Sequence, residues 1–271
     1  MPTIKLTKDV SVISSSPNTL VFDNRIIVDQ GGKNSSIDIN AEVQLATHGH
    51  ADHIAGLFKK DAKIRYLPIE DYWTLNIIGR RALVYGFSSK NSDIFMYDYI
   101  KDNLEFLDNN IRISEVEVIK LPGHTPGHSG YIIGDVLYAG DAFFGDKVLE
   151  GYSVPFYIDF WEAEQSLYKI KELAKSVQNI VISHGPIYNK NKMITLLEHN
   201  INYLHNIVNK ILDLISMEEL TAEQIAVKLK PDISPTNILL NTITIKSLLL
   251  GLDNIEYEVK TNGLVFRKRK H

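Results

Sequence analysis

The chain has 271 residues, a formal net charge of −4, nine histidines and no cysteine. Its 44% hydrophobic and 23% charged residues are typical of a folded chain and argue against disorder. The lack of cysteine excludes disulfides, thiolate catalysis, iron–sulfur clusters and Cys-ligated zinc, so any metal must be bound through nitrogen and oxygen. No apolar run reaches the roughly 18 residues of a membrane helix. The first sixteen residues also lack a signal-peptide core, so we expect a cytoplasmic location and no membrane partner.

Short β-branched or apolar stretches separated by turn formers predict a series of strands in the first part of the chain. They cover residues 3–6, 10–14, 19–22, 26–28, 43–47 and 64–67. Residues 69–110 carry many aromatic side chains and few strand signals, which predicts helices and a long insertion over one end of the domain. Trp73 and Tyr97 in this stretch are candidates to line a substrate pocket.

Strands and helices alternate in the next part of the chain. Strands are predicted at 116–121, 131–133, 136–139 and 179–183, with a hairpin turn at Gly134-Asp135, and a helix at 162–176. Two sheets with helices outside them, an α/β fold, are therefore predicted across residues 1–189.

The last 80 residues are predicted to form a separate module, which gives domains at 1–190 and 191–271. A long amphipathic helix at 192–215 is followed by a helix with a Thr221–Gln224 capping box. A third helix begins with Ser234-Pro235 and runs to about residue 250. An Asn-Gly hairpin signal then joins strands at 255–259 and 264–269. This order of elements is that of a winged-helix module.

The strongest chemical signal is Thr-His-Gly-His-Ala-Asp-His at residues 47–53. In an extended segment, residues i and i+2 point the same way and lie about 6–7 Å apart, so His48 and His50 can converge on one metal. Asp52 and His53 are expected to lie past a turn and to face a second metal nearby.

Three further ligand candidates follow or precede glycine at predicted strand ends. His124 lies in a loop rich in glycine and proline, Asp141 ends Leu-Tyr-Ala-Gly-Asp, and His184 ends Val-Ile-Ser-His. Together with the histidine cluster at residues 47–53, these three residues indicate a single metal site.

The motifs His-x-His-x-Asp-His, Pro-Gly-His, Gly-Asp and Ser-His-Gly, in this order, resemble those of the metallo-β-lactamase superfamily. The resemblance covers about residues 3–189 and implies an αββα sandwich with a two-metal site at one edge. It implies one ligand role for each of seven residues: His48, His50 and His124 on the first metal, Asp52, His53 and His184 on the second, and Asp141 bridging both. Asp29, in a segment similar to the family's first motif, would support the loops. His128 is expected to bind a nearby backbone group and brace its loop.

Imidazole and carboxylate ligands suit Zn²⁺, Fe²⁺ or Mn²⁺, and zinc is favoured. Two such ions lower the pKa of a bound water towards about 7, and Asp52 could orient the resulting nucleophile. We therefore expect a metal-dependent hydrolase that acts on an ester, thioester or lactone in a small-molecule substrate.

Differences from the motifs of other branches of the superfamily narrow the range of expected activities. His50 stands where flavodiiron proteins, a redox branch, are expected to carry glutamate, so electron transfer is disfavoured. One branch of zinc β-lactamases uses a cysteine ligand, which this chain lacks. One alternative is a single-strand endoribonuclease, because residues 190–271 carry 11 Lys and Arg against 9 Asp and Glu and contain the basic run 267–270. Nucleic acid is nevertheless not favoured, since Lys246 is the only basic residue at 235–250. A second alternative is a mono-iron persulfide dioxygenase, and a homo-oligomer is left open.

Overall fold

The computed structural model describes residues 2–59, 62–75, 104–108 and 112–269. Tyr97 and most of the predicted insertion lie outside these residues. Within them, no helix combines the length and the apolar character that crossing a bilayer requires.

The first sheet has seven strands, which lie side by side in chain order. The strands β1 to β4 pair antiparallel, whereas β4 to β7 pair parallel. Helix α1 (Ala51–Lys59) connects β5 to β6. The seven strands are β1 (Thr3–Lys5), β2 (Val10–Ile13), β3 (Thr19–Phe22), β4 (Ile26–Val28), β5 (Ala41–Leu45), β6 (Ala62–Pro68) and β7 (Leu104–Leu107).

Two elements near the predicted insertion differ from the helices expected there. Ile69–Leu75 forms a 3₁₀ helix, and β7 is a strand. The strand has only four residues, two of them exposed, and parallel pairing with β6 holds it in an extended conformation. Such a long-range pairing leaves little signal in the local sequence.

The second sheet has four strands in the order β11-β10-β9-β8. Its strands are β8 (Val116–Lys120), β9 (Ser129–Ile133), β10 (Val136–Tyr138) and β11 (Asn179–Val181). The predicted hairpin turn joins β9 to β10, and Gly134 there has a φ of 57°, which glycine adopts without strain. Helices α2 (Asp146–Tyr152) and α3 (Phe160–Leu173) lie between β10 and β11 in the chain; only α3 was predicted.

The two sheets pack face to face, and helices cover their outer faces. One buried cluster joins Val12 and Leu20 of the first sheet to Tyr131 and Val136 of the second. On the outer side of the first sheet, Ile54 of α1 packs on buried residues at the ends of β5 and β6. These layers confirm the predicted αββα sandwich.

The C-terminal module contains the predicted helices and hairpin plus a two-residue strand. Its elements are α4 (Lys190–Met217), β12 (Leu220–Thr221), α5 (Ala222–Leu229), α6 (Pro235–Leu250), β13 (Ile255–Lys260) and β14 (Gly263–Lys268). The strands pair in the order β12-β14-β13. Thr221 and Gln224 form the expected capping box, and Ser234 caps α6.

The C-terminal module shares its core with the sandwich. One buried cluster runs from Ile119 in β8 to Phe266 in β14. The Oγ1 atom of Thr244, in α6, accepts a hydrogen bond from the backbone N–H of Tyr157 at 2.9 Å. The module is thus packed on the loop that follows α2, while the boundary at 190/191 stays a prediction.

Candidate metal centre

The seven predicted ligands lie together at one edge of the sandwich, each in a segment that follows a strand. β5 leads into His48 and His50, after which Asp52 and His53 stand in the first turn of α1 rather than beyond a simple turn. The loops after β8, β10 and β11 supply the remaining three residues, which are His124, Asp141 and His184.

The first ligand group consists of His48, His50 and His124. Nδ1 of His50 lies 2.9 Å from Nε2 of His48 and 3.0 Å from Nε2 of His124. Nδ1 of His124 donates to the backbone carbonyl of Phe156 at 2.7 Å, which leaves its Nε2 as a lone-pair donor for a metal. Three imidazole nitrogens therefore face one another in a buried space.

The second ligand group consists of Asp52, His53 and His184. Nε2 of His184 lies 3.1 Å from Nε2 of His53 and 3.3 Å from Oδ2 of Asp52. Oδ2 of Asp141 lies between the two groups, 3.3 Å from His124 and 3.4 Å from His184. Among the described residues, the other oxygen of Asp141, Oδ1, is buried without a hydrogen-bond partner.

These separations fit divalent metal ions. Ligand bonds of about 2.0–2.2 Å place two nitrogen or oxygen donors on one ion no more than roughly 4.4 Å apart. Five of the six separations within the two groups, from 2.9 Å to 3.7 Å, lie below that limit. The two groups can therefore each hold one ion, and Oδ2 of Asp141 lies within 3.4 Å of one histidine from each group. The seven ligand roles themselves stay predictions.

Asp29 and His128 both form hydrogen bonds to the predicted ligands and to the backbone of neighbouring loops. Asp29 accepts hydrogen bonds from the backbone N–H and the hydroxyl of Thr47, each at 2.8 Å, and its Oδ2 lies 2.8 Å from Nδ1 of His53. His128 donates from Nδ1 to the carbonyl of Leu121 and accepts at Nε2 from the backbone N–H of Asp141. Both ring nitrogens of His128 are used in this way, which fits the bracing role expected for it.

Asp71 is a buried residue of the site that the sequence analysis missed. Its Oδ2 accepts from the backbone N–H of Gly49 at 2.8 Å and from the hydroxyl of Thr125 at 2.7 Å. Its Oδ1 accepts from the backbone N–H of Gly127 at 2.8 Å. One carboxylate thus ties the His48–His50 segment to the loop that carries His124. Asp71 stands in a 3₁₀ helix more than twenty residues from either loop, so no local signal marks it.

The electrostatics of the two ligand groups differ. Burial lowers the pKa of His124 to about 3 and that of His50 to about 4, so both are neutral at pH 7. Burial by itself would also lower the pKa of His53 and His184, but Asp141 and the other nearby carboxylates outweigh it and raise both values. The first group is therefore in its metal-binding form at neutral pH, whereas the two histidines of the second group hold their protons to a higher pH than a free imidazole does.

A cavity of about 430 Å³ opens beside the two ligand groups. Trp73, one of the two candidate pocket residues, lies in its wall, whereas Tyr97 lies outside the described residues. Tyr152, Phe156 and Leu240 also line the cavity, and no sequence motif predicts any of the three. They come from α2, the following loop and the C-terminal module, which only the tertiary fold brings together.

Comparisons with known proteins identify the family and the fold of the chain. A family profile described as the metallo-beta-lactamase superfamily matches residues 45–185. The chain is 29% identical over 199 residues to a hydroxyacylglutathione hydrolase of Blochmanniella pennsylvanica, covering 68% of this chain and 67% of that protein. It is also 29% identical over 143 residues to the hydroxyacylglutathione hydrolase GloC of Haemophilus influenzae, covering 46% and 66%. The chain thus spans about two thirds of the length of these two relatives.

Solved structures share the fold along nearly the whole chain. A beta-lactamase domain protein from Burkholderia ambifaria superposes with a TM-score of 0.70 at 15% identity, covering 98% of this chain and 93% of that one. A metallo-beta-lactamase family protein from Thermus thermophilus gives a TM-score of 0.67, also at 15% identity, covering 98% and 97%. The shared fold therefore includes the C-terminal module. Together with the curated relatives, it supports the predicted class of enzyme, a metal-dependent hydrolase.

Proposed function

The chain belongs to the metallo-β-lactamase superfamily, as its motifs predict, and from this premise we propose that it hydrolyses an ester, thioester or lactone bond in a small molecule. The observation that carries the proposal is the convergence of seven nitrogen and oxygen donors into two groups that share Asp141. The hydroxyacylglutathione hydrolases among its relatives also act on an acyl compound, as their name states.

We assign His48, His50 and His124 to one divalent ion and Asp52, His53 and His184 to a second, with Asp141 between them. Zinc suits this set of imidazoles and carboxylates best, and iron or manganese would also fit. When bound, the ions supply a Lewis acid and a hydroxide nucleophile near neutral pH.

Asp52 is the ligand carboxylate best placed to handle the attacking water. Its side chain is 42% exposed and lines the cavity, whereas that of Asp141 is only 5% exposed. The pKa of Asp52 is lowered because His53 and His184 outweigh the effect of burial, so it stays a hydrogen-bond acceptor at neutral pH. We assign to it the orientation of the nucleophile. Water adds to the acyl carbon, the bond to sulfur or oxygen breaks, and a carboxylate and a thiol or alcohol are released.

Tyr152 also lines this cavity. Burial raises its pKa, and the negative charges of Asp52 and Asp141 raise it further. The phenol therefore remains a neutral hydrogen-bond donor at physiological pH. It is suited to hold a carbonyl or leaving-group oxygen of the substrate.

The endoribonuclease alternative has less support. In the C-terminal hairpin, Arg267 pairs with Glu256 and Glu219, each at 2.8 Å, and Lys260 pairs with Glu219. Arg269 lies 3.5 Å from Glu256. Acidic partners thus compensate these three cations, which weakens the case for a phosphate-binding surface. A mono-iron persulfide dioxygenase would leave the second ligand group without a function. The cytoplasmic location and the oligomeric state stay predictions.

The test combines metal analysis with a substrate panel. We expect two metal ions per chain and turnover of thioesters or lactones, with no cleavage of nitrocefin or single-stranded RNA. Asp52→Ala should lower kcat about 10²- to 10⁴-fold, because it removes both a proposed ligand of the second ion and the group that orients the nucleophile. Asp213→Ala, which changes an exposed carboxylate on α4, is the matched control and should leave kcat unchanged. One iron per chain with oxygen consumption on a persulfide, or RNA cleavage by the purified protein, would overturn the proposal.

A further inference from the structure

The cavity beside the ligand groups has a metal-binding floor and an apolar wall. His50, Asp52 and His124 form part of the floor. The volume of about 430 Å³ lies within the range of sites for small molecules, about 300–1,000 Å³. Six large side chains dominate the wall: Trp73, Phe144, Leu149, Tyr152, Phe156 and Leu240.

The described residues of the wall carry no charged group beyond the predicted metal ligands. Among the described residues that line the cavity, there is no lysine, no arginine and no acidic side chain apart from Asp52 and Asp141. A substrate carboxylate held against this wall would lose its hydration without gaining a cationic partner, which is unfavourable. A glutathione moiety carries two such carboxylates, so the described wall suits it poorly. An aliphatic chain would bury apolar surface there at no such cost.

The C-terminal module supplies one side of this wall. Leu240, in α6, is 7% exposed and packs against Phe156, with Trp73 and Ile243 next to them. The neighbouring Asn241 donates a hydrogen bond to the backbone carbonyl of Tyr152 at 2.9 Å. This contact and the Thr244 bonds fix α6 on the loop between α2 and α3, so Leu240 has a defined position at the cavity.

We infer that the substrate of this site carries an uncharged, aliphatic acyl group, bound against the wall formed by Trp73, Phe156 and Leu240, and that Leu240 limits its length. The inference rests on the proposed hydrolase function and adds the chemical class of the substrate. It also assigns a role to the C-terminal module, which provides a selectivity wall for a reaction whose predicted metal ligands all lie in the sandwich.

The first test uses neutral thioesters of N-acetylcysteamine with acyl chains from acetyl to decanoyl, on the full-length metal-loaded protein. We expect kcat/KM to rise about threefold to fourfold per methylene, the factor that corresponds to about 0.8 kcal/mol, until the cavity is full. Lactoyl-N-acetylcysteamine should be a better substrate than lactoylglutathione, which has the same acyl group on a charged carrier.

The second test changes the wall. Leu240→Phe should move the preferred acyl chain to shorter lengths, and Leu240→Ala should move it to longer ones. Leu250→Phe and Leu250→Ala are matched controls on the same helix, because Leu250 is 54% exposed and does not line the cavity. Thermal melts of all four variants establish that each is folded. Since Leu240→Ala removes buried volume, Leu240→Phe decides the question if the alanine variant unfolds.

A binding measurement separates this inference from the proposed function. N-methyl alkanamides with acyl chains of increasing length are titrated while tryptophan fluorescence is followed, with Trp73→Phe as the control that should remove the signal. Length-dependent binding without hydrolysis of any ester, thioester or lactone would overturn the proposed function and support the acyl site. Hydrolysis with a flat chain-length profile, or a preference for the glutathione thioester, would overturn the acyl site alone. Length-independent binding, or a profile unchanged by Leu240→Phe, would overturn it as well.

Discussion

Asp71→Asn tests how the fold holds the first ligand group in place. The carboxylate accepts three hydrogen bonds, from the backbone N–H groups of Gly49 and Gly127 and from the hydroxyl of Thr125. An asparagine keeps the shape of the side chain but replaces one acceptor oxygen by an NH₂ group. In either orientation of the amide, that group faces a backbone N–H, which is then buried without a partner.

The expected cost follows from these contacts. One unsatisfied buried N–H costs about 1–3 kcal/mol, and the remaining bonds weaken because a neutral acceptor replaces an ionised one. Burial raises the pKa of Asp71, which shows that dehydration of the carboxylate already offsets part of its contribution. We therefore expect the free energy of unfolding to fall by about 2–4 kcal/mol, against a total of about 5–15 kcal/mol for a typical domain.

The same change should weaken metal binding. Gly49 lies between His48 and His50, and any larger residue there would displace Thr74, since a Cβ would lie 2.1 Å from its Oγ1 atom. Loss of the Asp71 contact frees this segment, so the affinity of the first ligand group for Zn²⁺ should drop more than that of the second.

Urea unfolding of the metal-free protein and competition titration with a zinc chelator measure the two effects. Asp159→Asn is the matched control: Asp159 is an exposed carboxylate that accepts two backbone N–H groups at the start of α3, where asparagine caps equally well. If Asp71→Asn changes the free energy of unfolding no more than this control does, the structural role given to Asp71 is wrong.

Three further predictions concern the metals and the module. Zinc binding to the second ligand group should release more protons than binding to the first, because His53 and His184 have raised pKa values. The number of protons released should fall as the pH rises through those pKa values. Calorimetry in buffers of different ionisation enthalpy measures this number. Equal release in both steps would contradict this assignment. Thr244→Val removes the acceptor for the backbone N–H of Tyr157 and should lower the free energy of unfolding in urea by about 1–3 kcal/mol, whereas an unchanged value would refute the contact's importance. A fragment of residues 1–190 should fail to fold, because the main buried cluster continues into the C-terminal module; a cooperative thermal melt of the fragment would show otherwise.

Several features could be predicted because their signals are local. Residues 47–53 place four candidate ligand side chains within one short segment, and the glycines and prolines around His124 mark a loop at a strand end. The strands β3 and β4 and the helices α5 and α6 agree with the patterns that predict them, since alternation, capping residues and turn formers act within a few residues.

The elements that were missed depend on distant partners. Helix α1 begins directly after His50 with small residues that resemble a turn, and α2 is a short helix that covers the cavity. Strand β7 is ordered by its pairing with β6. In each case the local propensity is weak, and contacts made across the fold decide the outcome.

The sequence by itself determined the family and which residues could bind metal, because ligand identity and strand-end position are written in short motifs. Only the tertiary structure decided how the loops are held and what the cavity accepts. Asp71 meets two loops far from it in the chain, and Leu240 reaches the cavity from the C-terminal module. Both contacts arise from packing between segments distant in sequence, so no pattern within a single segment could reveal them.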